Sequence, residues 1–235
     1  MKNYKAVVLL SGGIDSTTCL ALAIEKYGSD NVLALSVSYG QKHTKELTSA
    51  SNVARYYGVM HISESLAEVF KFSDCTLLIG RDDIEHKSYA NQLNDIGGEG
   101  TVATYVPFRN GLMLSYATAV AISFGASAVY YGAHADDAAG RAYPDCTPEF
   151  QKAMNDAIYE GSGRVLSMVA PLISMNKASV VKTGLTLGAP YHLTWSCYEG
   201  KEKQCGTCGT CIDRNAAFAA NGMKDPVGYE VKTNV

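Results

Sequence analysis

From Lys5 to Leu10 the chain reads Lys-Ala-Val-Val-Leu-Leu and then stops at Ser-Gly-Gly. A short apolar run ended by a turn signal predicts a buried strand. Between Ser16 and Tyr27 the apolar positions Leu20, Ala23, Ile24 and Tyr27 recur at helical spacing, and Gly28 is the stop. Asn31 to Ser38 is a second apolar run and predicts a second strand. Thr44 to Tyr57, closed by Gly58, predicts a second helix, and Val59 to Ser63 a third strand. Strands alternating with helices predict an α/β fold, a mainly parallel sheet covered on both faces.

The alternation breaks between about Glu68 and Tyr105, where the chain is polar, carries Gly97-Gly98-Glu99-Gly100 and shows no sustained period. A long insertion of this kind reads as a lid or binding loop. The pattern resumes with a helix at Asn110–Phe124, a strand at Ala128–Gly132, a helix near Pro148–Tyr159, a strand near Val165–Ala170 and a helix at Asn176–Leu187. A short helix at Asp213–Ala220 follows a group of cysteines. The division that results is a nucleotide-binding α/β domain over 1–190, with 68–105 as its insertion, and a small C-terminal metal-binding segment over 191–235.

Of the 235 residues 47% are hydrophobic and 18% charged, ordinary for a compact domain and too apolar for disorder. The net charge of −3 argues against a protein that holds long nucleic acid by neutralising phosphates. No uninterrupted apolar stretch approaches the roughly 20 residues of a membrane helix. The first residues lack the apolar segment of a signal peptide, so the cytoplasm is the expected compartment.

Ser11-Gly12-Gly13-Ile14-Asp15-Ser16 lies between the first strand and the first helix. Glycines there let the backbone approach phosphate, and unpaired amides at the helix N-terminus face negative charge. Leu10, Ser11, Gly12, Gly13, Ile14, Asp15, Ser16 and Thr17 are therefore the candidate nucleotide-binding residues. A Walker A loop needs a lysine followed by Ser or Thr, and none is present. The carboxylate of Asp15 would repel bare phosphate, so it implies Mg²⁺ or a hydrogen bond directed away from the nucleotide.

Four of the seven cysteines, Cys197, Cys205, Cys208 and Cys211, fall within fifteen residues. In a reducing compartment such clustering points to metal rather than disulfides. Four thiolates suit a closed tetrahedral structural zinc site. An iron–sulfur cluster also takes four cysteines. Cys19, Cys75 and Cys146 read as lone core or loop thiols.

The phosphate loop resembles that of the ATP pyrophosphatases, the PP-loop enzymes, whose consensus is Ser-Gly-Gly-x-Asp-Ser after the first strand. With further motifs, nearly the whole chain resembles the 7-cyano-7-deazaguanine synthases, nitrile-forming enzymes of queuosine biosynthesis. Those motifs are Tyr39-Gly40-Gln41-Lys42-His43, Val106-Pro107-Phe108-Arg109-Asn110, Tyr143-Pro144-Asp145-Cys146, Asn176-Lys177-Ala178 and the four cysteines. Two departures stand out: Ile14, where many members carry Gln, and the stretch Gly132 to Arg141, whose length and surroundings differ. The resemblance implies a Rossmann-like fold of the adenine nucleotide alpha hydrolase type and a homodimer. It also implies conversion of 7-carboxy-7-deazaguanine, ATP and ammonia to the nitrile, through adenylated carboxylate and amide intermediates. The chain leaves no room for a glutaminase domain, so free ammonia is the expected nitrogen source.

For that chemistry Asp15, Arg109 and Lys177 are the catalytic candidates, the two cations facing the substrate carboxylate or the ATP phosphates. Tyr39, Phe108 and Tyr143 are candidate stacking faces. A deazaguanine presents adjacent N–H donors, and Asp145, with Asp136 and Asp137 behind it, is the carboxylate expected to read them. The ordinary alternative for a loop aspartate is to cap a turn. His43 and His134 are more commonly structural than proton carriers. Rival readings are a related ligase ending in an amide, a PP-loop enzyme that modifies tRNA, and a zinc-stabilised interaction module without catalysis.

Overall fold

The computed structural model of the protein describes residues 2–231; the last four positions of the expected C-terminal segment lie outside the described residues. Five parallel strands form one sheet: β1 (Ala6–Leu9), β2 (Val32–Ser38), β3 (Met60–Ser65), β4 (Ala128–Tyr130) and β5 (Ser167–Val169), in the order β3-β2-β1-β4-β5. β1 sits centrally, in register with β2 through Val8 and Ala34 and with β4 through Val7 and Val129. The chain runs outward from β1 to β3, then returns to the other side of β1 for β4 and β5. That reversal opens a crevice beyond the carboxyl ends of β1 and β4, where open α/β sheets bind ligands.

Alternation along β1 sends neighbouring side chains into different cores. Ala6 and Val8 pack in one cluster with α1 (Ile14–Tyr27), α2 (Lys45–Tyr57), α8 (Lys177–Thr186) and α9 (Gly209–Ala220). Val7 packs in the other with α5 (Arg109–Ser123) and α7 (Pro148–Gly161). Both faces are thus covered, as the alternating pattern predicts.

The insertion is irregular but well packed. It holds two short helices, α3 (Ala67–Phe70) and α4 (Tyr89–Asp95), and buries Phe70, Cys75, Leu77, Leu78 and Ile84 against the cysteine group. Two helix starts move by more than one residue from the sequence expectation. The first helix starts at Ile14 rather than Ser16, which places Asp15 and Ser16 in its first turn. The last starts at Gly209 rather than Asp213, so Cys211 is helical. Its glycine and thiols are weak helix formers, and packing of Ala217 and Phe218 into the main core outweighs that preference. The cysteine segment is therefore built into the domain rather than appended to it. A one-turn helix, α6 (Ala135–Ala138), was not expected.

Candidate active site

A cavity of about 540 Å³ occupies the crevice between β1 and β4, a volume usual for small-molecule sites. Its floor is the turn from β1 into α1. Leu10, Ser11, Gly13, Ile14, Asp15 and Ser16 line it. The hydroxyls of Ser11 and Ser16 lie 3.0 Å apart, and the Ser11 amide donates to Ser16 Oγ, which holds the turn open toward the cavity. The first free backbone amides of α1 face that space. Gly12 and Thr17 play other parts. Gly12 has φ +86°, and a Cβ there would lie 2.4 Å from the Glu46 carbonyl oxygen. Only glycine lets α2 close over the loop. Thr17, within α1, is fully buried.

Lys177, at the start of α8, reaches the first turn of α1. Its Nζ donates to both carboxylate oxygens of Asp15 at 2.8 and 2.6 Å. Asn176 caps α8 by accepting from the Ser179 amide, and Asp136 Oδ2 accepts from the Lys177 amide at 2.7 Å. His134 is 3% exposed. Its Nε2 lies 3.2 Å from Lys177 Nζ and 3.3 Å from Asp137 Oδ2. Burial works against ionisation of Asp15, but Lys177 and His134 outweigh it and hold the carboxyl below its ordinary range. At Asp137 burial prevails and the carboxyl is raised. Asp15 is thus partnered by Lys177, the hydrogen bond directed away from the nucleotide, and is part of a packed ionic cluster. His134, discounted as structural in the sequence, is central to that cluster.

At the other end Arg109, in the first turn of α5, stacks on Tyr39 with its guanidinium carbon 4.8 Å from the ring centroid. Glu46, Trp195 and Tyr198 complete this wall, none of them foreseen as site residues. Glu46 reads in sequence as an ordinary acidic residue in a helix's first turn, so nothing there marks it. Tyr143 lines the cavity with its hydroxyl 2.6 Å from Thr104 Oγ1.

Two expected substrate residues are not on the cavity wall. Phe108 is exposed and packs edge-on against Phe150. Asp145 is buried, accepting from the Asn110 backbone amide at 2.9 Å and from its side-chain amide at 3.0 Å. It caps α5 from outside, an anion at a helix N-terminus, and so takes the turn-capping alternative.

The four clustered cysteines bring their sulfur atoms within 4.8 Å of one another, all buried. Tetrahedral zinc–thiolate bonds of about 2.3 Å put sulfurs roughly 3.8 Å apart, and Cys205 and Cys211 lie at 3.9 Å. Backbone amides of Glu199 and Cys205 donate to Cys197 Sγ, and those of Thr207 and Cys208 to Cys205 Sγ. Such bonds favour thiolates. The quartet fits a single dication.

The family model for the queuosine biosynthesis protein QueC matches residues 5–222. The chain belongs to the QueC family. A 7-cyano-7-deazaguanine synthase of Archaeoglobus fulgidus is 42% identical over 224 residues, covering 95% of this chain and 89% of that protein. One from Thermoplasma acidophilum is 43% identical over 238 residues, covering 98% and 94%. The solved structure of an NMN synthetase from Francisella tularensis covers 94% of this chain and 79% of its own, with a TM-score of 0.51 and 16% identity. That likeness is one of fold alone.

Proposed function

We propose that this QueC-family chain is an ATP-dependent ligase that converts 7-carboxy-7-deazaguanine and ammonia into 7-cyano-7-deazaguanine. One observation carries the reading: a single cavity joins the phosphate-binding turn of α1 to a cation at each end, Lys177 and Arg109. A carboxylate oxygen attacks the α-phosphorus of ATP and pyrophosphate leaves. Ammonia then displaces AMP to give the amide. A second activation places AMP on the amide oxygen, and loss of AMP with the two nitrogen-bound protons leaves the nitrile. Both original carboxylate oxygens depart on AMP.

The protein's tasks are orientation and charge stabilisation. The α1 amides hold the phosphates, and the Lys177 ammonium, now on Asp15, turns toward the pyrophosphate as charge develops there. Mg²⁺, when bound, supplies further neutralisation, with Asp136 and Asp213 as candidate ligands beside the phosphates. Zinc in the cysteine quartet is structural. Tyr89, Ala90 and Leu93 of the insertion wall the cavity, which supports residues 68–105 as its cover. No described helix is long and apolar enough to cross a membrane. A cytoplasmic homodimer completes the proposal.

Mass spectrometry of products from ATP, ammonia and 7-carboxy-7-deazaguanine tests it. AMP, pyrophosphate and the nitrile are expected. ADP with phosphate would refute adenylation, and an amide end product would favour the rival reading of a ligase that ends in an amide.

A further inference from the structure

The cavity wall carries five carboxylates among the described residues: Asp15, Glu46, Asp136, Asp137 and Asp213. Asp15 is held by Lys177, Asp136 accepts from the Lys177 amide, and Asp137 lies against His134. Asp213 stands in the same crowd, facing Lys177, Asp136 and Asp137. These four belong to the phosphate end. Glu46 stands apart from these four: its backbone packs on Gly12, and its carboxylate lies beside Arg109 and Tyr39.

Among the described residues no donor is hydrogen-bonded to the Glu46 carboxylate and it forms no ion pair with Arg109, although both side chains line the cavity and their charges interact. Two opposite charges on one cavity wall, close enough to interact yet not in contact, leave the Glu46 carboxylate and the part of the Arg109 fork not engaged by Tyr39 open to a ligand. Arg109 is kept from swinging over to Glu46 by its stacking on Tyr39. Glu46 is held by the packing of α2 on Gly12. The gap suits a flat ligand whose edge offers an acceptor next to donors.

We propose that Arg109 and Glu46 together read the pyrimidine edge of the deazaguanine. The guanidinium donates to the ring carbonyl oxygen, while the Glu46 carboxylate accepts from the ring N–H and the exocyclic amino group. Tyr39 and Tyr198 flank the ring. This assignment rests on the function proposed above. It turns the reacting carboxylate toward Lys177 and the α1 amides, where adenylation takes place, and relieves Arg109 of any direct role at that carboxylate. It also explains why Asp145, with both oxygens on Asn110, is not needed as a reader.

A site built to hydrogen-bond a donor rejects an analogue that lacks it, because the buried acceptor is left unpaired. The test is steady-state kinetics on wild type and Glu46→Gln with two substrates, 7-carboxy-7-deazaguanine and its analogue lacking the 2-amino group. Thermal stability is measured in parallel. Wild type should favour the parent acid by about 10–100-fold in kcat/KM. Glu46→Gln should lose a similar factor on the parent acid, and its discrimination between the two acids should fall toward one. A purely structural role for Glu46 would lower both rates and leave their ratio intact. An unchanged ratio in the variant therefore overturns the proposal. So does a change confined to the Mg²⁺ concentration needed for half-maximal rate, which would make Glu46 a cation ligand. Wild-type enzyme that uses both acids equally well overturns it without any variant. Wild-type enzyme inert toward both acids would instead remove the proposed function, and the edge reading with it.

Discussion

Removing the Asp15–Lys177 contact tests whether the phosphate end is a preorganised ionic cluster or two independently solvated charges. The pair is joined by bonds of 2.8 and 2.6 Å, with the two side chains 17% and 24% exposed. At an effective dielectric near 20, unit charges about 4 Å apart attract by about 4 kcal/mol. Desolvation of both ions offsets much of this. The partial exposure also places the pair above surface bridges, which contribute about 0.2–1 kcal/mol. A coupling of about 2 kcal/mol is expected from the balance of these effects. The assay is urea unfolding at neutral pH of wild type, Asp15→Asn, Lys177→Gln and the double variant, combined as a thermodynamic cycle. The sign with pH follows from the lowered Asp15 carboxyl. Its stabilisation is complete above the unfolded-state value, 3.8 for an ordinary Asp, and is lost as pH falls through the folded value. A coupling below about 0.5 kcal/mol at neutral pH, the level of a screened surface pair, would refute a preorganised cluster. Lys177 would then be free before ATP arrives.

Other substitutions separate structure from chemistry. Arg214 is fully buried, bonded to Asp225 through Nε at 2.6 Å and Nη2 at 3.0 Å, and also to Thr194, Ser196 and Tyr191. Arg214→Met should cost about 3–5 kcal/mol in denaturant unfolding by stranding Asp225; a cost below 1 kcal/mol would show that the site relaxes. Asp145→Asn should lower stability by about 1 kcal/mol through the α5 cap while changing kcat/KM little, and the reverse pattern would return Asp145 to substrate reading. Burial pushes the Glu46 carboxyl up to about 7, against the opposing pull of Arg109, with Cys197 adding to the rise. Its ionisation therefore penalises the folded state increasingly as pH climbs from the ordinary 4.5 toward 7. Glu46→Gln should thus raise Tm at pH 8 and not at pH 4; equal shifts at both would exclude the charge as cause. Elemental analysis should find one zinc per chain, and Cys208→Ala should lower Tm as well as zinc content. Iron with acid-labile sulfide would replace the zinc assignment.

The parts of the fold written as periodic runs were legible. β1, β2 and the helices around them show their faces directly, and the PP-loop and cysteine spacing carry local geometry in the sequence itself. What escaped depends on distance in space. Glu46 and Arg109 are 63 positions apart in sequence, and only the crossover from β2 through α2 and the long return to α5 bring them to one wall. His134 looked ordinary because its partners, Lys177 and Asp15, come from two other elements. Asp145 misled for the opposite reason: its motif is conspicuous, but the carboxylate serves the backbone at Asn110. A residue type shows which chemistry is available, whereas the partners already occupying its atoms decide whether that chemistry is free for a ligand.

The metal segment and the phosphate loop are better understood as one device than as two domains. The Trp195 amide donates to the Gly12 carbonyl at 2.9 Å, and the Trp195 indole donates to the Cys197 carbonyl at 2.7 Å. One residue thus ties the tightest turn of the loop to the first thiolate of the quartet. Trp195 also carries Lys45 on its ring and packs edge-on against His43, both next to the start of α2. Four crowded thiols without a cation have no reason to hold their backbone in this shape, since thiolates repel and thiols offer only weak bonds. A bound dication would remove the repulsion and fix residues 197–211, and with them Trp195 on the cavity wall. The metal needs no part in bond making to matter for catalysis. Its contribution would be to set the distance between the phosphate-binding turn and the wall that holds Tyr198, on which a near-attack geometry between ATP and the acid depends.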